Sequence, residues 1–431
     1  MRDAGGVVGR LGPLLTRVFG EDLPLRIRGW DGSETGPPDA PGVVISHRRA
    51  LRRLLWQPNE LGLGRAYVAG ELEVDGDFFD ALRTAMRIVE RAGDHGITLT
   101  RDDKRELVRT AVMLGAVGPE PKPPPEEADP SSAGDDGRRK DAPPGAPSSA
   151  HYSVGNDFYR YVLGPSMFDS SGYWTRRDDQ SYVLDDAVSD MCDLVAHKLG
   201  LAPGMRLLDV GCGWGTLATH VAGRYDVRVV GVTLSQEQAD DARKRVLEAG
   251  LEDRIEIRVQ DYEAVADGPY DAIAALGEVE HVGAARFADY AGSLFRVLRP
   301  GGRLLSHQIA RRPERPTPTR PTFVRSYVHP RGELLPVGQT IDLWERAGFE
   351  VRDVEALRDH YALTLRRWVA GLREHWEECA ALTSPGRARA WLLYMTGSAL
   401  AFEAGRLGAN QVLAVRRHED GRSDIPLTRT E

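Results

Sequence analysis

The chain has 431 residues, 41% of them hydrophobic, and a formal net charge of −8. That length exceeds one ordinary core and predicts two domains, while the acidic balance excludes wholesale nucleic-acid binding, which rests on Lys and Arg neutralising phosphates. The three cysteines, Cys192, Cys212 and Cys379, are far apart and form no Cys-x-x-Cys, so a disulfide framework or a zinc site is not expected and a reducing cytoplasm suits them.

The first stretch, "MRDAGGVVGRLGPLLTRVFG", lacks an uninterrupted apolar core and a cleavage site, so it does not read as a signal peptide. No run approaches the roughly 20 apolar residues that span a bilayer, so any action on lipid is expected from the membrane surface. "LPLRIRGWDGSETGPP" reads as a short strand followed by turns, and "ALRRLLWQP" and "FFDALRTAMRIVERAG" carry apolar residues at helical spacing. Residues 1–117 are therefore expected to form a small α+β accessory domain. "HRRALRRLL", His47 to Leu55, places four arginines on one helical stretch, which suits a solvated face or a surface for anionic headgroups. Residues 118–150 are rich in Pro, Gly, Ser and mixed charge, with almost nothing apolar to bury, and read as a flexible linker.

From residue 151 to 431 the pattern changes. "MRLLDVG", "VRVVGVT", "RIEIRVQ", "YDAIAALG" and "GRLLSHQIA" are short β-rich runs separated by helical stretches. That alternation predicts a doubly wound, mostly parallel α/β sheet, whose ligands sit beyond the carboxyl ends of the strands. The first of these strands runs into "LLDVGCGWG", with Asp209 two positions before Gly211-x-Gly213-x-Gly215. The spacing differs from the dinucleotide fingerprint, and no lysine follows as in a phosphate loop.

A strand ending in Asp-x-Gly-x-Gly-x-Gly resembles the first motif of S-adenosylmethionine (SAM) methyltransferases of class I. By that resemblance the loop of Asp209, Gly211, Gly213 and Gly215 cradles the methionine end of the cofactor. Thr233, Leu234 and Gln238 contact ribose and adenine, and Asp261 and Tyr262 hold the adenine edge. "HYSVGNDFYRYVLGPSMFDSSGYW", "GEVEHVG", "LLSHQI", "YVHPRGELLP", "HYALTLRRW" and "FEAGRLGANQVLAV" resemble, in order, motifs of the cyclopropane-fatty-acyl-phospholipid and mycolic-acid cyclopropane synthases. The resemblance covers His151 to Arg416 and implies methylene transfer from SAM to a cis double bond of an acyl chain in membrane phospholipid.

In that family a carbocation formed on the acyl chain is deprotonated by a bound bicarbonate. The resemblance places its cage at Glu280, His307, Tyr361, Ser171 and the backbone of Ile309, with Ser170 on the cofactor wall. It also implies peripheral contact with the inner face of the plasma membrane, and dimer or membrane contact through the N-terminal domain. The segment Arg311–Pro336 and the helices around Trp368, Trp391 and Phe402 are candidate walls for the acyl chain, with core packing the plainer role for each aromatic. Ser171 stands where the family has a cysteine, Asp169 where it has a tyrosine, and Glu278 where it usually has an apolar residue. These departures leave both a cyclopropane and an exocyclic 10-methylene product open. A methyltransferase acting on a small amine or hydroxyl would share the SAM loop without needing the cage.

Overall fold

The computed structural model of the chain describes residues 6–12, 25–91, 100–128, 154–315, 321–330 and 332–428. They fall into two units, one of residues 1–129, 320–328 and 379–400, the other of the remainder.

The first unit holds a four-stranded sheet of β1 (Arg26–Arg28), β2 (Glu34–Thr35), β3 (Gly42–Ile45) and β4 (Leu72–Asp75), in the order β2-β1-β3-β4. Its helices include α1 (Arg49–Trp56), α2 (Glu60–Val68), α3 (Phe78–Arg91) and α4 (Arg101–Met113). Val8, Ile27, Ile45, Ala50, Ala66 and Leu72 meet in its core. The expected α+β character is present, but the boundary at residue 117 falls later. Trp56 Nε1 donates to Gly118 O (3.0 Å), Arg53 Nη1 to Lys122 O (2.8 Å), and Arg65 pairs with Glu127. Buried arginines supply partners that composition alone hides, so residues 118–128 pack as part of this unit. The rest of the expected linker, 129–150, lies outside the described residues.

The second unit opens with α5 (Asn156–Leu163) and α6 (Leu184–Leu199). Then β5 (Arg206–Val210), α7 (Thr216–Tyr225), β6 (Arg228–Thr233), α8 (Gln236–Glu248), β7 (Ile255–Val259), β8 (Tyr270–Leu276), α9 (Val279–Val297) and β9 (Leu298–Arg311) alternate as expected, except that only the 3-10 turn Tyr262–Ala264 stands between β7 and β8. They are followed by α10 (Val337–Arg346), β10 (Glu350–Ala356), α11 (Arg358–Glu374) and β11 (Leu407–Val415). Strand order is β10-β11-β9-β8-β5-β6-β7. The five strands from β9 to β7 run parallel, while β11 is antiparallel to both its neighbours.

Consecutive residues of these strands point to opposite faces. Leu207, Val229 and Ala272 pack under α6 and α7 residues such as Val195 and Val221, while Leu208, Val230 and Ile273 pack under α9 residues such as Phe287 and Leu294. With both faces covered, the strands read as continuous apolar runs. Leu298 to Gly302 open β9, where the register with β8 shifts between Tyr270 and Ala272.

Candidate active site

Leu208 and Val210 anchor β5 in the core, so the loop after it must turn sharply at the strand's carboxyl end. Gly211, Gly213 and Gly215 all adopt positive φ, at 73°, 52° and 75°. The amides of Gly211 and Cys212 both donate to Val232 O, tying the loop to β6. A Cβ on Gly211 would lie 1.9 Å from Glu278 Oε1, whereas one on Gly213 would meet nothing within 4 Å. The loop is therefore pressed against a carboxylate at one glycine and open at the next, which is the form of a cradle.

Acidic groups line this cradle. Asp209 is buried, its Oδ2 has no partner among the described residues, and burial followed by the nearby Glu278 raises its pKa to about 7. Glu278 is raised to about 7 by burial and then by Asp261, the residue as a whole standing half-buried. At the end of β6, Thr233 Oγ1 donates to Gln238 Oε1 (2.9 Å), leaving the Gln238 amide nitrogen as a donor. Ser235 caps α8 by accepting from Gln238 N, and Leu234 stands half-buried between them. After β7, Asp261 accepts from Glu263 N (2.9 Å), and the half-buried Tyr262 ring packs edge-on against Tyr290 at 4.9 Å. Acceptors and aromatic surface at four successive strand ends suit a cationic, nucleoside-bearing ligand.

Beside the cradle, the end of β8 is fixed to β9 by Gly277 N donating to His307 O (2.8 Å). Glu280, in the first turn of α9, is buried, and its Oε1 accepts from Ile309 N at 2.5 Å. Ile309 thus contributes by holding that carboxylate. Glu280 Oε2 and His307 Nε2 are both buried and unpartnered among the described residues. Burial raises the Glu280 pKa to about 7, partly offset by the Ile309 amide. Burial and then the Lys198 charge lower His307 to about 4, so its imidazole is neutral at pH 7.

Tyr361, on α11, lies edge-on to His307 at 6.4 Å between ring centroids and stacks on Phe402 at 4.9 Å. Trp368 meets it edge-on at 6.2 Å. Trp368 and Phe402 are thus core aromatics that set the Tyr361 ring. Three residues beyond Tyr361, Thr364 accepts from Gly172 N and Trp174 Nε1, both at 3.0 Å. That pins the buried Ser170–Ser171 pair near the same side of α11. The Ser171 hydroxyl donates to Gly172 O (2.8 Å). Sequence reading missed Lys198 and Gln411, whose amide nitrogen lies 3.5 Å from His307 Nδ1. Their only signal was polar character in apolar surroundings.

A parallel sheet with this glycine loop and acidic cleft defines a SAM-dependent methyltransferase. The model for mycolic acid cyclopropane synthetases matches residues 140–412, and the chain belongs to that family. It is 37% identical over 415 residues to a probable fatty acid methyltransferase of Mycobacterium tuberculosis, covering 94% of each chain. The structure of the cyclopropane synthase MmaA2 from Mycobacterium tuberculosis is 31% identical, with a TM-score of 0.58 over 61% of this chain and 95% of that one. The mycolic acid cyclopropane synthase CmaA1, solved with SAH and CTAB, is 33% identical with a TM-score of 0.57, covering 62% of this chain and 95% of that one.

Proposed function

We propose that this chain uses SAM to alkylate the cis double bond of an unsaturated acyl chain in membrane phospholipid, giving a cyclopropane or an exocyclic 10-methylene product. The observation that carries this reading is the pair of buried polar atoms without partners among the described residues, Glu280 Oε2 just beyond the end of β8 and His307 Nε2 on β9 opposite that end, with Tyr361 edge-on to His307. Buried polar atoms without partners are costly, and a small anion with both donor and acceptor capacity, such as bicarbonate, would satisfy this pair. A methyltransferase for amines or hydroxyls has no need of such a cage.

SAM, when bound, supplies an electrophilic methyl group, and bicarbonate a proton acceptor. The cradle of Gly211, Gly213 and Gly215 with Asp209 would hold the amino-acid end of the cofactor. Ser170, Thr233, Leu234, Gln238, Asp261 and Tyr262 would hold the remainder. Glu280 Oε2 accepts from the acidic hydrogen of the anion and so orients it, while His307 Nε2 and the Tyr361 hydroxyl donate to it. Ser171 at 0%, His307 at 2%, Glu280 at 8% and Tyr361 at 9% exposure keep water from a reacting centre that water would quench. Among the described residues no helix is long and apolar enough to cross a membrane, and in this reading the protein works from the bilayer surface at the inner face of the plasma membrane.

Incubation with methyl-labelled SAM and vesicles of oleoyl phospholipid is expected to place label in the lipid. Glu280→Gln should lower that rate by about 100-fold or more, the usual scale for losing a proton-handling group. Label passing only to small amines or hydroxyls would overturn the reading. Mass spectrometry after hydrogenation separates the ring from the more easily reduced methylene.

A further inference from the structure

Glu355, Gln411 and His307 form a row across three neighbouring strands, Glu355 opposite Gln411 on β10 and β11, and Gln411 opposite His307 on β11 and β9. Directly opposed residues of antiparallel strands project to one face of the sheet. Lys198, in the last turn of α6, reaches this row. Its Nζ lies 2.7 Å from Gln411 Oε1, 2.5 Å from Glu355 Oε2 and 4.0 Å from Asp353 Oδ2. Gln411 is completely buried, and Lys198 is only 12% exposed.

An ammonium group only donates hydrogen bonds. Gln411 must therefore turn its oxygen to Lys198, which commits the amide nitrogen to the other side. There Nε2 lies 3.2 Å from Met191 Sδ and 3.5 Å from His307 Nδ1. One amide hydrogen faces each, so every polar atom of the Gln411 side chain is accounted for. Facing a donor, His307 Nδ1 must be the unprotonated nitrogen, and the single imidazole proton sits on Nε2.

We propose that Lys198 and Gln411 are positioning residues that fix His307 as its Nε2–H tautomer, so that a neutral imidazole presents a donor to the anion site. The proposal deepens the cage reading above and rests on it for its catalytic consequence. The tautomer itself does not depend on any bound anion. Charged and titratable groups come to His307 from the packed elements: Lys198 from α6, Glu355 and Asp353 from β10 through Lys198, and Tyr361 from α11, while Glu280 on α9 is held two residues further along β9 by the Ile309 amide. Exchanging Gln411 for glutamate keeps the size and the Lys198 partner but turns the group facing Nδ1 from donor to acceptor.

The test is 15N-histidine NMR of the full chain at pH 7.5, with the His307 signal assigned by its loss in His307→Gln. The wild type should show the Nε2–H tautomer. Gln411→Glu should shift it to Nδ1–H and lower kcat about 100-fold, at the upper end for loss of an orienting partner, with KM for SAM within about twofold. Lys198→Met should give a mixture of tautomers, and Lys198→Arg, which retains the charge, should restore Nε2–H. Should Gln411→Glu fail to fold, the two Lys198 variants carry the same test. An Nδ1–H wild type, or a tautomer indifferent to Gln411 and Lys198, would overturn the relay. A tautomer that switches while turnover stays unchanged would uphold the relay and instead sink His307 as the cage donor.

Discussion

Glu278 is the residue at which this chain parts most clearly from the pattern its motifs resemble. Its carboxylate lies against Gly211 with Asp209 and Asp261 as charged neighbours, and burial pushes both it and Asp209 up to about 7. An unfolded glutamate titrates at about 4.3, so between about 4.3 and 7 the folded protein holds more protons than the unfolded chain. Stability from this group is then fully present below the lower value and is lost as pH rises through the upper one. Glu278→Gln removes that loss and relieves Asp209 of its charged neighbour. The ligand-free variant should melt about 2–4 °C above wild type at pH 8, with the gap narrowing toward pH 5. A gap independent of pH, read by thermal denaturation at several pH values, would show that Glu278 is not ionising in the cleft. A group kept at such a cost in the free protein is consistent with an acidic cleft built for a cationic ligand.

The glycine loop shows what an element's sequence discloses and what it withholds. Asp209, the three glycines, and the strand-end residues Thr233, Gln238 and Asp261 were legible, because the strand–turn–helix pattern is local and its period fixes where the carboxyl ends fall. The engagement of the Ile309 amide by Glu280 was not, nor was the row of Glu355, Gln411 and His307. Both depend on register between strands distant in sequence, which no local pattern encodes. The glycines also differ in ways the motif cannot express. Gly213→Ala adds a methyl group to open space, so it carries only the backbone strain of φ 52°, about 1–2 kcal/mol. That methyl projects into the cradle and should weaken binding of S-adenosylhomocysteine by about tenfold or more. Gly211→Ala meets the Glu278 carboxylate and should destabilise the fold further than Gly213→Ala does. Coupling is expected in this pair: in a Glu278→Ala background the cost of Gly211→Ala should fall to near that of Gly213→Ala. Equal costs in both backgrounds, measured by calorimetry, would contradict the contact.

At the scale of the whole molecule, the part that matches the family is not the part that folds as one unit. The family match spans residues 140–412, yet residues 320–328 and 379–400 belong with the N-terminal segment. The ties are specific: Tyr327 OH donates to Glu127 (3.0 Å), Ser384 Oγ to Glu126 (2.8 Å), and Arg389 pairs with Glu73, while within the N-terminal segment Glu127 is held by a paired contact with Arg65 (2.7 and 2.5 Å). Arg65 and Glu127 are 12% and 6% exposed, so removing one partner strands the other away from water. Breaking such a pair costs about 3–5 kcal/mol, and Gln57, 2.7 Å from Arg65 Nη1, recovers part of it. Glu127→Ala should therefore destabilise this unit by about 3 kcal/mol in hydrogen exchange of the α2 amides, and Glu127→Gln by less. Deleting residues 1–128 removes Glu73, Glu126 and Glu127 together and exposes Phe323, now 4% accessible. The shorter relative MmaA2 of Mycobacterium tuberculosis aligns over 94% of its own length with only 61% of this chain, so a catalytic portion without the extra segment is a workable design there. Here the same portion carries Arg389, Tyr327 and Ser384, whose partners lie in the segment that would be lost. The truncated chain should accordingly aggregate on purification or melt well below the full chain, whereas a monomer with the full chain's melting temperature would mean that these ties do not hold the N-terminal unit together.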